Sequence, residues 1–390
     1  MYVSFLIVVF DSDVRQLLDS SAAPPPNLSK ALERLSRASG LHPRCFSLSG
    51  VEKVGAQVAA GGFSDIWKGL IRGQIVSIKM VRIFQDSDVE AVLRIKDFGR
   101  EALIWRQLSH PNLLPFFGLY YLEGGLCLVS PWMENGHLIQ FLKNASPDTD
   151  RLSLILDVAM GLEYLHTVKL VHGDLKAVNI LVTHSGRACI ADFGLTVIAD
   201  AVSLSRPDLA TCETVRYQAP EVLEGGRNHF ASDIYAFACV CYEVCRPSSQ
   251  SRVPSDIIQI LTGKAPFFEV ETDGQVILHV HRGGQLSRPD LATCDPILWV
   301  LIRDCLQQNP TLRPVAHQIT RRLLEPPIQA KAKESITDWD QTSTRKIRRL
   351  VQNPPVLPSI LEIQRRIFGD SALQMDIRFS DSTIGFVRGG

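Results

Sequence analysis

The 390-residue sequence predicts an α+β fold in which a strand-rich region precedes a mainly helical one. The strands are predicted by alternating apolar residues over 58–69 and by the β-branched stretch 74–79. Residues 100–108 form an amphipathic helical pattern, and the apolar stretch 236–243 is typical of a buried helix. Helices therefore follow the strands along the chain.

The balance of charges and the pattern of cysteines limit the classes of protein to which the chain can belong. Lysine plus arginine and aspartate plus glutamate are equal at 41 each, which argues against a broad nucleic-acid binder. The nine cysteines form no CxxC pair, and Cys239 and Cys241 lie in an apolar stretch that predicts buried thiols. This pattern fits a reducing compartment rather than a disulfide framework or a zinc site, and we expect a cytoplasmic protein.

The chain is predicted to have three zones. Residues 1–49 are an N-terminal extension in which Leu28, Leu32 and Leu35 share the face of a short amphipathic helix. Residues 50–326 are densely patterned and globular. Residues 327–390 are polar and interrupted by proline, so we expect a largely disordered tail.

The apolar start, residues 1–10, raises the question of a signal peptide or anchor. It is about half the roughly 20 residues of a spanning helix, and no basic segment precedes it. A short buried strand or a gene-model artefact explains it better. No other stretch predicts a membrane span, so we expect none.

A glycine-bearing turn joins the first two predicted strands. Without a side chain, its backbone N–H groups can approach phosphate oxygens, although an ordinary hairpin often has the same composition. Lys79 ends the next strand, where a lysine can simply extend to solvent. Glu101, on the predicted helix 100–108, would instead fix the ammonium group and direct it at phosphates.

Two neighbouring loops, residues 172–179 and 191–194, contain the most informative side chains. They place an acid, a cation, an amide and a second acid together: Asp174, Lys176, Asn179 and Asp192. Such a set can hold a metal-bound triphosphate and orient a hydroxyl group.

These motifs, in this order over residues 51–324, resemble those of the eukaryotic protein kinase family. Ala219-Pro220-Glu221, Asp233 before an apolar helix, and Arg313 also match. The residue pattern around these motifs is similar to that of tyrosine-kinase-like Ser/Thr kinases of the type expanded in mushroom-forming fungi. The resemblance implies a bilobal fold, with a β-rich N-lobe and hinge over 50–133 and a helical C-lobe over 134–326.

The resemblance also implies the chemistry, with ATP and Mg²⁺ as cofactors and Ser/Thr hydroxyls of protein substrates as acceptors. The catalytic set is Asp174, Lys176, Asn179, Lys79 and Glu101. Asn179 and Asp192 would bind the metal, and Thr214 would bridge the catalytic aspartate and lysine. Nucleotide contacts are expected from Ala59, Gly61, Gly62, Phe63, Ile66, Lys79, Met133, Leu181 and Asp192.

Several positions depart from the family pattern. Ala59 replaces the first glycine of the loop, Ser77 replaces an alanine beside adenine, and Ser130 occupies the gatekeeper position, which predicts an open back pocket. Gly173 replaces an arginine that would bind a phosphorylated activation segment. We therefore expect constitutive activity or control by other regions, such as the two tails. The sequence does not identify regulatory partners.

An alternative function is a pseudokinase scaffold that binds a nucleotide or a partner without phosphoryl transfer. A polar insertion at about residues 246–259 favours it, although a retained intron would explain the insertion equally well. The phrase at 204–212, repeated at 286–294, and the altered glycine loop favour it too. The complete catalytic set favours an active enzyme.

Overall fold

The N-terminal part of the domain is an antiparallel sheet of five strands. A computed structural model describes residues 46–60, 64–81, 88–122, 125–146, 149–199, 212–245, 265–288, 296–328 and 338. The strands are β1 (Val51–Ala60), β2 (Ser64–Ile71), β3 (Gln74–Val81), β4 (Gly118–Leu122) and β5 (Gly125–Pro131). Their order across the sheet is β1-β2-β3-β5-β4.

Alternation along β3 gives the sheet two different faces. Val76 and Ile78 are fully buried in an apolar cluster with residues of β5 and the segment before β1. Ser77 and Lys79 point to the opposite face, because successive side chains of a strand alternate. This second face is the one that meets the rest of the domain.

Helix α1 (Asp88–Gln107) packs against this second face. Ala102, Leu103 and Trp105 are buried in a cluster that continues into the C-terminal part of the domain. The helix thereby carries Glu101 towards Lys79 of β3.

The C-terminal part is mainly helical, with two small antiparallel ribbons. Its helices are α2 (Leu138–Asn144), α3 (Arg151–Thr167), α4 (Cys212–Val215), α5 (Pro220–Leu223), α6 (Phe230–Cys245), α7 (Asp273–His281), α8 (Pro296–Cys305) and α9 (Ala316–Leu324). Short 3₁₀ turns cover Ala177–Asn179 and Pro310–Leu312. The ribbons pair β6 (Leu170–Val171) with β9 (Val197–Ile198) and β7 (Ile180–Val182) with β8 (Ala188–Ile190).

Helix α6 runs through the middle of this part. It is apolar on all sides and buried from Ser232 to Val244, as expected for a helix enclosed by other elements. Cys239 and Cys241 lie on it as buried thiols, which confirms that sequence prediction.

The α+β class and the two-part architecture agree with the sequence prediction. The predicted helix at 28–35, the glycines 61 and 62, the insertion at 246–259 and most of the tail lie outside the described residues. Within the part that the structure describes, no helix is long and apolar enough to cross a membrane.

Candidate active site

Asp233, in the first turn of α6, holds the backbone of the loop between β6 and the 3₁₀ turn 177–179. Its carboxylate accepts hydrogen bonds from the backbone N–H of His172 at 2.8 Å and of Gly173 at 2.9 Å. His166 Nε2 lies 3.0 Å from the same carboxylate. Because a buried helix anchors two successive amides, the next residue, Asp174, has a fixed position.

Asp174 has one oxygen that is occupied and one that is free. Asn179 Nδ2 donates to Asp174 Oδ2 at 3.0 Å and to the Asp174 backbone oxygen at 2.8 Å. Lys176 Nζ lies 3.0 Å from the same Oδ2. Asp174 Oδ1 has no hydrogen-bond partner in the described part of the chain. A buried acceptor without a donor is costly, so an O–H group that reaches this oxygen would satisfy it.

Lys176 connects the loop to the segment before α5. Its ammonium group donates to Thr214 Oγ1 at 3.0 Å and is buried together with that threonine. Lys176 thus contacts both Asp174 and Thr214, and its contact with Thr214 is one of the two contacts that make up the bridge expected from the sequence. Through Lys176, the contact links Thr214 and the chain that follows it to Asp174.

Lys79 of β3 forms two ion pairs beside the sheet. Its Nζ lies 2.8 Å from Glu101 Oε1 and 2.8 Å from Asp192 Oδ1. Burial opposes the charge on Lys79, but the carboxylates of Asp192 and Glu101 outweigh it and raise the lysine pKa. The structure therefore brings three of the predicted site residues, from a strand, a helix and a loop, into one charged cluster.

The two carboxylates around Lys79 differ in electrostatics. Burial raises the pKa of Glu101, and Lys79 only partly offsets it. Burial also opposes ionisation of Asp192, but there Lys79 prevails and the pKa is lowered. The side chain of Asp192 remains 43% exposed, so its ionised carboxylate is accessible to solvent. This makes Asp192 the better metal ligand of the two.

Asn179 and Asp192 are brought close by the backbone. Ala191 N donates to the Asn179 carbonyl oxygen at 2.8 Å. Because Asn179 Nδ2 donates to Asp174, Asn179 Oδ1 is the side-chain atom that can bind a metal ion. An amide oxygen and a carboxylate suit Mg²⁺, which takes few protein ligands and completes its shell with phosphates and water. Among the described residues, no group of three or more His, Cys, Asp or Glu side chains could hold a metal ion.

The expected nucleotide contacts line up across the sheet. Ala59 of β1 pairs with Ile66 of β2, and Ile66 pairs with Lys79 of β3. Gly61, Gly62 and Phe63, which connect β1 to β2, lie outside the described residues. Ala59 and Ile66, which flank the predicted phosphate-binding turn, are therefore in register with Lys79.

Two further residues from which nucleotide contacts are expected are Met133 and Leu181. Met133 is buried after β5, and Leu181 of β7 is bridged to His137, four residues beyond Met133. Ser77 and Ser130 are opposite each other on β3 and β5. Antiparallel partners point to the same face, so both serines lie on the face that carries Lys79.

An ion pair anchors the short segment that forms α5. Glu221 receives two parallel hydrogen bonds from Arg313, at 2.7 and 2.8 Å, and the arginine side chain is fully buried. Arg313 also donates to the carbonyl oxygen of Ala231 at 2.8 Å. The ion pair predicted from the sequence is present, and its role is to fix this segment against α6.

Sequence reasoning missed two contacts near the site. Arg100 of α1 donates a hydrogen bond to the carbonyl oxygen of Thr196. The hydroxyl of Tyr217 donates to Glu243 at 2.8 Å, and burial raises the pKa of this glutamate to about 8 although Tyr217 opposes the shift. A glutamate at the end of an apolar helix was the one available signal for the second contact.

Comparison with known proteins identifies the family. Residues 53–323 match the family model described as protein tyrosine and serine/threonine kinase. The chain belongs to the protein kinase family. The match covers both parts of the fold and every residue of the candidate site.

Individual relatives are similar at moderate identity. The chain is 29% identical over 275 residues to the probable serine/threonine-protein kinase drkB of Dictyostelium discoideum, covering 68% of this chain and 36% of the relative. It is 28% identical over 266 residues to the serine/threonine/tyrosine-protein kinase HT1 of Arabidopsis thaliana, covering 67% of this chain and 63% of the relative. For the Arabidopsis serine/threonine-protein kinase STY17 the identity is 29% over 275 residues, with coverages of 70% and 44%. The chain thus spans less than two thirds of each of these relatives.

Proposed function

We propose that this kinase domain is active and transfers the γ-phosphate of ATP to serine or threonine hydroxyls of protein substrates in cytoplasmic signalling. The observation that carries the proposal is the free oxygen of Asp174. It belongs to a carboxylate whose other oxygen is held by Asn179 and Lys176. A carboxylate fixed in this way can orient a hydroxyl group without being a strong base.

The other residues would hold the nucleotide. Lys79, kept in place by Glu101, would bind the α- and β-phosphates, and Ile66, Leu181 and the chain at Met133 would enclose adenine. Asn179 and Asp192 would hold Mg²⁺, which bridges phosphates and neutralises their charge. Lys176 would stabilise charge on the transferred group, since its ammonium already lies next to Asp174.

The preference for serine and threonine is supported by the contact between Lys176 and Thr214 at 3.0 Å. This pair fixes the chain beside Asp174 and is the arrangement that the resemblance associates with Ser/Thr kinases. One relative is named a serine/threonine/tyrosine kinase, so the acceptor has to be measured directly.

The test is transfer of radiolabelled phosphate from ATP by the full chain and by Asp174→Asn. We expect Asp174→Asn to lower kcat by about 10²–10⁴-fold. Nucleotide binding, measured by calorimetry, should be retained because Asn179 and Lys79 are untouched. Phosphoamino-acid analysis of the product should show phosphoserine or phosphothreonine.

The opposite results would each overturn a defined part of the proposal. Nucleotide binding without Asp174-dependent transfer would mean that the chain is a pseudokinase scaffold. Phosphotyrosine as the main product would contradict the acceptor class but leave the kinase activity standing.

A further inference from the structure

Two neighbouring residues of α1 contact different parts of the candidate site. Glu101 forms the ion pair with Lys79 of β3. Arg100 donates a hydrogen bond to the backbone carbonyl of Thr196, in the segment that follows Asp192. One turn of α1 therefore contacts both Lys79 and the chain that follows Asp192.

Thr196 is itself fixed to the catalytic loop. It is fully buried, its N–H donates to the Phe193 carbonyl at 3.1 Å, and its hydroxyl donates to the His172 carbonyl at 3.3 Å. His172 is in turn held by Asp233 of α6. Arg100 thus completes a continuous connection from α1 to the buried helix of the C-terminal part.

Phe193 packs beside this connection. Its ring lies 5.7 Å from the ring of Trp105 on α1 and 5.7 Å from that of His172. Gly194 lies so close to Glu101 that an added Cβ would be 3.4 Å from Glu101 Oε2. The segment 193–196 therefore follows the surface of α1 closely, and its position and that of Glu101 depend on each other.

Residue 173 is glycine, so the loop 172–179 has no cationic side chain at this position that could bind segment 193–196. Gly173 has a left-handed backbone with φ of 80°, and an added Cβ would lie 2.9 Å from the carbonyl oxygen of Leu195. The chain before Thr196 thus approaches the loop backbone closely. A cation that holds segment 193–196 is supplied from the other side, by Arg100.

We propose that Arg100 is a positioning residue that keeps the group of Lys79, Glu101 and Asp192 assembled without phosphorylation of the chain after Thr196. The proposal rests on the proposed kinase function. A charged donor to a carbonyl contributes more than a neutral hydrogen bond. Its loss should let α1 and segment 193–196 move apart, which withdraws Glu101 from Lys79 in a fraction of molecules.

The experiment compares the full chain with Arg100→Met and Arg100→Lys. Methionine keeps the apolar stem but removes the donor, whereas lysine keeps a cation that can donate to the Thr196 carbonyl. Arg303→Met is the control, because Arg303 is an exposed arginine on α8. Each protein is treated with phosphatase, and kcat, the KM for ATP and amide hydrogen exchange over residues 194–198 are measured.

We expect Arg100→Met to lower kcat about 10-fold and to speed exchange of the amides around Thr196 by about the same factor. The KM for ATP should change less than about threefold, because the direct nucleotide contacts remain. Arg100→Lys should restore most of both losses, and Arg303→Met should match the wild type.

Unchanged kcat and unchanged exchange in Arg100→Met would overturn the proposal. So would a loss in Arg100→Met that Arg100→Lys does not reduce, because packing rather than the charged donor would then be responsible. If the wild type transfers no phosphate, the proposed function fails, while the exchange measurement still decides whether Arg100 holds the segment.

Discussion

The two sides of the candidate active site are held in different ways. In the catalytic loop, side chains bind backbone groups, as Asp233 binds the amides of His172 and Gly173. Beside the sheet, in the part of the chain that the structure describes, Lys79 is paired with the side chains of Glu101 and Asp192, which belong to two other segments. The loop is therefore part of the folded core, whereas the group of Lys79, Glu101 and Asp192 depends on where α1 lies.

This difference separates stability from activity. Breaking a buried polar contact in the C-terminal part should lower the free energy of unfolding, because it leaves a desolvated group without a partner. Breaking a contact of α1 should leave the fold intact and change the fraction of molecules in which the site is complete. The variants below test that distinction.

Arg313→Met should have the largest effect on stability. It leaves the Glu221 carboxylate without its bidentate partner and removes the hydrogen bond to Ala231, at a cost of about 3–5 kcal/mol in the free energy of unfolding. Urea unfolding measures it. Arg321→Met is the matched control, since Arg321 is exposed and lies 3.9 Å from Glu325; its loss should cost at most about 1 kcal/mol. Equal losses in both variants would contradict the anchoring role of Arg313.

Glu101→Gln should mainly affect activity. The amide can still accept a hydrogen bond from Lys79, but the charge that holds the ammonium group is lost, so we expect kcat/KM to fall about 10–100-fold. The free energy of unfolding should change by less than about 1 kcal/mol. Glu52→Gln, at an exposed position on β1, should change neither quantity. A Glu101→Gln variant with wild-type kinetics would show that the ion pair does not position Lys79.

Glu243→Gln should change the pH dependence of stability. Burial raises the pKa of Glu243 to about 8, so the folded protein keeps a proton that the unfolded chain releases near its ordinary pKa of 4.5. Stability should therefore fall as pH rises from about 5 to 8, by up to about 1.4 kcal/mol per pH unit from this group. Glutamine can still accept from Tyr217 but does not titrate.

Other groups titrate in the same range, so the informative quantity is the difference in unfolding free energy between Glu243→Gln and the wild type at each pH. This difference should grow in favour of the variant between pH 5 and 8. A difference that is independent of pH would mean that Glu243 is ionised in the folded protein.

The sequence was sufficient for most of the catalytic loop. Asp174, Lys176 and Asn179 lie within six residues, so their proximity follows from local spacing. Lys79 and Glu101 were also predicted to meet, because a strand lysine and a helix glutamate occur in a recognisable order. Local pattern and family resemblance pointed to the same contacts here.

The sequence was not sufficient for contacts to the backbone. Arg100 binds the carbonyl of a residue 96 positions away, and every residue has such a carbonyl, so residue type gives no signal. The raised pKa of Glu243 depends on how completely α6 is enclosed, which composition does not report. Both depend on tertiary packing rather than on motif spacing.

We propose that this site is assembled for phosphoryl transfer without a phosphate on the chain after Thr196. The most direct test is the initial rate of transfer from ATP by the full chain before and after phosphatase treatment. Ser203→Ala, Ser205→Ala and Thr211→Ala are combined in a parallel variant, in the segment outside the described residues. We predict rates within about twofold of one another. A loss of more than about 10-fold after dephosphorylation, with the melting temperature unchanged, would contradict the account.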